Sequence, residues 1–364
     1  MNRRKRPNLQ KTRVSSTYRH ALEASYGALS SWAVVHHRDG PFLCLHDADA
    51  MNSLLIDYIQ DLFDREQPIS QARHAVLAVQ FRHRHLWRQL KSSWDSVKSW
   101  EMQVPLKLRV PCPPLIADCL FCLALLKGFK TDRKRAHLWI PMGILTRLSW
   151  HGLLRPGEAV GLRGRDVVLP SALHASLHNC AILNIENPKN RRSLGKCQVS
   201  RIDDLVSVKW LAWLVTDLDP DLKLFPSSLC TFRSLYRELC VDLEITHLGL
   251  TPASMRPGGA TDLFIGGVET SRLRVLGRWR TLESLDHYVQ IAASALAVIR
   301  VPAEVLIQLK RIVAQQALFA SPPIRQWSRF FSRAQQLRAV VSWNLRHWQH
   351  RSGKQRPLFP LAAP

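Results

Sequence analysis

The chain has 364 residues, 46% of them hydrophobic, enough for more than one packed core, so two domains are the expectation. Lys and Arg total 51 against 28 Asp and Glu, a formal net charge of +23, which points to a polyanionic partner, either nucleic acid or an anionic membrane surface. No apolar run reaches the length of a membrane span, and the eight cysteines lack the spacing of a disulfide framework, so a spanning protein and a disulfide-stapled secreted fold are both disfavoured and reduced, intracellular thiols are expected.

Residues 1–41 read as a basic, disordered segment. Arg3, Arg4, Lys5, Arg6, Lys11, Arg13 and Arg19 fall within the first 22 residues, with no acid among them. Such a start reads as a nuclear address, a nucleic-acid arm, an organelle transit peptide or a solvated tail.

Residues 42–104 are expected to form a helical domain. Leu54, Leu55, Tyr58, Leu62 and Phe63 recur at helical spacing, Gln67-Pro68 breaks the pattern, and Ser70 is placed to cap the next helix. Leu86, Trp87, Leu90, Trp94 and Val97 then form an apolar stripe in which the tryptophans are assigned to the core. Arg82, Arg84, Arg88, Lys91 and Lys98 make a polar face, either solvated or lying along phosphates.

The prolines at 105, 111, 113 and 114 mark a stiff linker and the domain boundary. Two apolar helices are predicted after it, over roughly 115–128 and 138–152. The first carries Cys119-Leu-Phe-Cys122, which reads as core packing because no second ligand pair accompanies it. Short strands are predicted at Val167–Leu169, Ala181–Ile185 and Gln198–Ile202, and helices from about 205 to 300. The fold class is therefore mainly α with a small inserted antiparallel β-sheet, in a second domain over 105–300. Residues 301–364 read as a basic tail, with ten Lys and Arg against Glu304 alone, interleaved with Trp327, Phe330, Phe331, Trp343 and Trp348.

Chemistry concentrates in a few positions. Arg155 lies in Gly152-Leu-Leu-Arg-Pro-Gly-Glu158, Arg256 in Ser254-Met-Arg-Pro-Gly-Gly259, and Tyr288 nine residues after Trp279 of Gly277-Arg-Trp. Lys189 occupies a polar turn between two strands. A guanidinium fork matches phosphate oxygens and stays charged at working pH, an indole N–H only donates, and a tyrosine hydroxyl can act as a nucleophile. Taken singly, Lys189 reads as solvated, and for Trp279 a core place and a site role are evenly matched.

The order Arg155, Lys189, Arg256, Trp279, Tyr288 resembles the tyrosine recombinase/integrase family, over roughly 105–300 and more weakly over 42–100, and is most similar to transposon-derived eukaryotic members. The resemblance implies a core-binding domain plus a catalytic domain that clamp double-stranded DNA, a self-associating synaptic multimer, and no cofactor or metal. Tyr288 would form a 3′-phosphotyrosyl bond and release a 5′-hydroxyl. Arg155, Arg256 and Trp279 would hold the phosphate, and Lys189, or alternatively Lys196, would protonate the leaving oxygen. A nuclear location is the expectation, with organelle targeting as the alternative. Two positions depart from the family pattern: Pro257 follows Arg256 where a His is frequent, and Ala253 stands where a His or Lys is usual, a position at which losing an acid/base group costs about 10²–10⁴ in rate. His247 and His287 are the candidate substitutes. Two other readings follow, a DNA-binding descendant without cleavage and an unrelated basic RNA-binding or structural protein.

Overall fold

The computed structural model describes residues 14–37, 47–104, 109–130, 133–170, 179–186, 188–189, 194–195, 197–216, 218–314 and 316–322. The chain divides into two compact units, Met1–Lys107 and Leu108–Pro364.

The first unit holds α1 (Ser16–His37), α2 (Ala48–Asp64), α3 (Ile69–Arg82) and α4 (Lys91–Gln103), with a 3₁₀ turn at Arg84–Arg88. Asp47 caps α2 by accepting from the amides of Asp49 and Ala50. Leu54, Leu55, Tyr58 and Leu62 are buried with Ala75, Val79 and Trp100. Two expectations change here. Ser16–His37 is a helix, not irregular chain, and its Leu22, Tyr26, Leu29 and Ala33 are part of that same core, whereas residues 1–13 lie outside the described set. Trp87 is 48% exposed rather than core, because the 3₁₀ turn breaks the helical phase before α4 begins.

The second unit is built on α5 (Pro114–Lys130) and α6 (Arg133–His151). Pro114 opens α5, where its missing N–H costs nothing. This helix is apolar almost all round and correspondingly buried, from Ile116 to Phe129. Cys119 and Cys122 sit within it, and burial raises both thiols, Cys122 to about 12, which suits packing. Buried Arg147 on α6 donates to Asp118 on α5 and, through Nε and Nη2, to both carboxylate oxygens of Asp204 at 2.8 and 3.0 Å. Asp204 in turn caps the helix that follows the sheet.

A short helix α7 (Pro156–Gly161) leads into the antiparallel sheet β1 (Val167–Val168), β2 (Ala181–Ile185) and β3 (Gln198–Ile202), ordered β1-β2-β3. Leu183 pairs with Val167 on one side and Ser200 on the other. Alternate residues of β2 and β3 are buried, as period-2 side chains on a one-faced sheet require. Ser200 Oγ donates to the Gly152 carbonyl at 2.7 Å, tying β3 to the turn that carries Arg155.

The helices α8 (Leu205–Val215), α9 (Leu229–Asp242), α10 (Met255–Ile265), α11 (Thr270–Leu276), α12 (Leu282–Asp286), α13 (Ile291–Ile299) and α14 (Ala303–Ala314) follow. The fold is thus mainly helical with one small antiparallel sheet. α10 runs against α6 at backbone contact: a Cβ on Gly259 would lie 2.1 Å from the Trp150 carbonyl oxygen, and one on Gly258 equally close to that of Cys112. Only glycine permits this approach, and it carries Arg256 into the interior. Residues 301–322 are not tail. Val305, Leu309 and Phe319 enter the main core, and Trp210 Nε1 donates to the Phe319 carbonyl at 2.7 Å. Residues 323–364, with their tryptophans and arginines, lie outside the described set. Among the described residues no single helix is long and apolar enough to cross a membrane.

Candidate active site

The second unit contains a smaller apolar cluster of Leu153, Ala260, Leu273, Trp279 and Leu285, with Tyr288 packed against it. The predicted Arg155, Arg256, Trp279 and Tyr288 converge on its edge.

α6 ends at His151, and Leu153 turns the chain with φ +50°, a left-handed conformation unusual for a branched side chain. That turn aims the Leu153 carbonyl inward. Arg256 Nη1 donates to it, as does Arg278 Nη2 at 3.0 Å. Arg256 Nη2 donates to the Gly277 carbonyl, so one guanidinium joins α10 to the segments after α6 and α11. Its face is covered by two rings, Trp279 at 4.4 Å and Tyr288 at 5.4 Å from the guanidinium carbon. The two ring centroids are 5.1 Å apart. Tyr288 is held by its backbone, since Thr261 Oγ1 donates to its carbonyl at 3.1 Å and accepts from the amide of Gln290.

Arg155 sits at the start of α7. Glu158, three residues on, accepts from the Arg155 amide at 3.0 Å and from its Nη1 at 2.7 Å. Arg155 is the more open arginine, its side chain 22% exposed, whereas Arg256 is 2% exposed overall. Glu158 also accepts from Arg278 Nη2 at 2.9 Å. One buried carboxylate therefore serves two arginines, with a third beside them. Three guanidinium charges less one carboxylate leave +2 in a largely buried site. Burial pushes Glu158 up, but Arg278 and Arg155 together outweigh it and hold the carboxyl below its usual range. Arg256 is pushed down to about 9, chiefly by burial and then by repulsion from Arg155 and Arg278, and is still a cation at neutral pH. Two buried donors of the cluster, Arg256 Nε and Trp279 Nε1, have no hydrogen-bond acceptor among the described residues. Unsatisfied buried donors of this kind are uncommon, and here both belong to groups suited to an anion.

Arg278 is the residue that sequence reading passed over. It is 6% exposed and takes φ +57°, the second strained non-glycine position in the cluster. The preceding Gly277 is needed because a Cβ there would collide with the folded-back Trp279 ring. Its signal in the sequence was Glu158, an acid beside Arg155 whose burial calls for more than one cation.

Lys189 lies exposed on the turn after β2, and none of the described hydrogen bonds, ion pairs or ring contacts joins it to the cluster. Lys196 lies outside the described residues. Ala253, on the 3₁₀ turn before α10, lines a cavity of about 600 Å³. His247 is exposed, with Nε2 3.1 Å from the Arg300 carbonyl, and His287 is exposed beside Tyr288. Neither makes a described contact with Arg155, Arg256 or Trp279. Among the described residues no group of three or more His, Cys, Asp or Glu is arranged to hold a metal ion.

No family model matches the chain, and no curated protein matches it. Among solved structures it is similar to a crystal structure of XerA recombinase, at 14% identity and a TM-score of 0.37, over 83% of this chain and 94% of that one.

Proposed function

We propose that this protein binds duplex DNA and transfers strands through Tyr288. The reading rests on one observation: Arg155 and Arg278 share a single buried carboxylate, Arg256 lies beside them under the Tyr288 ring, and two donors of the cluster lack acceptors among the described residues. A phosphodiester supplies both the missing acceptors and the missing negative charge. Since Arg256 and the Trp279 nitrogen are covered, the phosphate reaches them when the Tyr288 segment moves outward. In the reaction the Tyr288 oxygen attacks phosphorus and its proton passes to solvent, the bond from phosphorus to the 5′ oxygen breaks, and that oxygen takes up a proton from the Lys189 ammonium, which solvent then restores. The arginines offset charge gathering on the non-bridging oxygens. Lys189 is the proposed proton donor. Self-association on DNA and a nuclear site of action belong to the same proposal.

Ala253 favours a second reading, a DNA-binding protein that does not cleave. The wall beside it offers no acid/base side chain other than arginine, tyrosine and a buried thiol. The grouping of three arginines around one buried carboxylate, with Tyr288 over one of them, counts against an unrelated basic RNA-binding or structural protein. Covalent trapping separates the readings. Wild type and Tyr288→Phe are incubated with nicked, randomised duplexes and denatured. DNA retained by wild type alone supports strand transfer, whereas binding by both with adduct in neither supports the non-cleaving reading.

A further inference from the structure

A second basic feature lies next to the cluster. Arg233 and Arg237 are one turn apart on α9, and both are exposed. Like charges at this spacing repel each other. Arg109, just before α5, joins them around the cavity of about 600 Å³. No acid lines that cavity, and none of the three arginines is in an ion pair among the described residues. The acids of α9 do not neutralise them. Glu238 and Asp242 both pair with Lys127, at 2.7 and 2.5 Å, and Glu238 also pairs with Arg135. The helix thus sends its acids to other partners and leaves its arginines facing the cavity.

Chain neighbours of the cluster line the cavity. Pro156, which follows Arg155, and Ala253, three residues before Arg256, both line it. Three residues of helical rise separate Ala253 from Arg256 by about 5 Å along the chain, and a DNA strand presents a phosphate about every 3.4 Å of axis. Val241, Leu250 and Pro252 add an apolar wall suited to a sugar face. We infer that this cavity seats a backbone phosphate of the same DNA strand, next to the phosphate held by Arg155 and Arg256. The inference rests on the DNA-binding part of the proposed function and not on cleavage.

The test is equilibrium binding of a labelled random-sequence duplex across a series of NaCl concentrations. Tyr288→Phe is the parent, so no strand is cut. Arg233→Gln/Arg237→Gln on that parent is expected to bind about tenfold more weakly, with a log–log salt slope shallower by about 0.9 for each phosphate no longer neutralised. Lys223→Gln/Arg165→Gln removes equal charge from positions elsewhere in the second unit and is expected to leave the slope nearly unchanged. An unchanged slope and affinity in the first variant would overturn the inference while leaving the proposed function standing. Equal losses in both variants would overturn it too, as bulk charge. Absence of duplex binding by the parent sinks both. Tripolyphosphate provides the last arm: binding that depends on Arg233 and Arg237 while duplex binding does not would assign the cavity to small polyphosphates and overturn the DNA reading.

Discussion

Glu158 is the point at which the cluster is most open to a quantitative test. Its side chain is 5% exposed and accepts from the Arg155 amide, the Arg155 guanidinium and the Arg278 guanidinium. Glu158→Gln keeps the volume but raises the cluster from +2 to +3 and turns one acceptor into a donor facing a cation. Breaking a buried pair by removing one partner costs about 3–5 kcal/mol. With a urea m-value of about 3 kcal/mol/M, the midpoint for the second unit should fall by roughly 1–1.7 M. The companion is Glu186→Gln, whose side chain is 49% exposed and paired with Arg165 at 3.5 Å, for which about 0–1 kcal/mol is expected. The pH dependence has a fixed sign. The folded pKa of Glu158 is lowered, so its stabilisation is complete above the usual glutamate value and disappears as pH falls through the folded value. The gap between wild type and Glu158→Gln should therefore be full at neutral pH and close on acidification. Urea unfolding followed by tryptophan fluorescence reads both effects. Equal midpoints for Glu158→Gln and Glu186→Gln at neutral pH would refute the buried, shared carboxylate.

Trp279→Phe removes a buried donor that has no acceptor, so folding stability should change by no more than about 1 kcal/mol while covalent adduct yield falls at least about tenfold; an unchanged yield argues against an indole contact to phosphate. Ala253→His places an acid/base group on the cavity wall and should raise the single-turnover cleavage rate by about 10²-fold or more, and no change would mean that another group already moves the proton. Gly259→Ala should cost about 1–3 kcal/mol in thermal or urea unfolding, because its Cβ meets the Trp150 carbonyl. Gly157→Ala, which meets nothing, should stay within about 0.5 kcal/mol.

The second unit was the more legible in sequence. The three strands are short β-branched or apolar runs between turn signals, and α5 and α6 are dense in apolar residues, so their positions could be read within a few residues. α1 was missed because Leu22, Tyr26, Leu29 and Ala33 are diluted among His, Ser and Arg, and the charge of the first residues dominated the reading. The same bias hid α14, whose Val305 and Leu309 face the core although basic residues crowd the segment. Arg155, Arg256, Trp279 and Tyr288 could be singled out because order and spacing survive in one dimension, and the structure groups them in one cluster. Arg278 could not, because its importance depends on a left-handed backbone that turns it onto a carboxylate 120 residues away.

The carbonyl contacts of Arg256 have a consequence for how such chains change over time. This side chain fastens three distant segments, so its replacement would damage the fold whether or not DNA is ever cut. Position 253 is under no such constraint. It lies on a cavity wall and accepts a small residue without structural penalty. Under the proposed function, a descendant that had lost strand transfer would keep Arg256 as scaffolding while residue 253 was free to drift. The presence of Arg256 therefore does not by itself distinguish a protein that cuts DNA from one that only binds it.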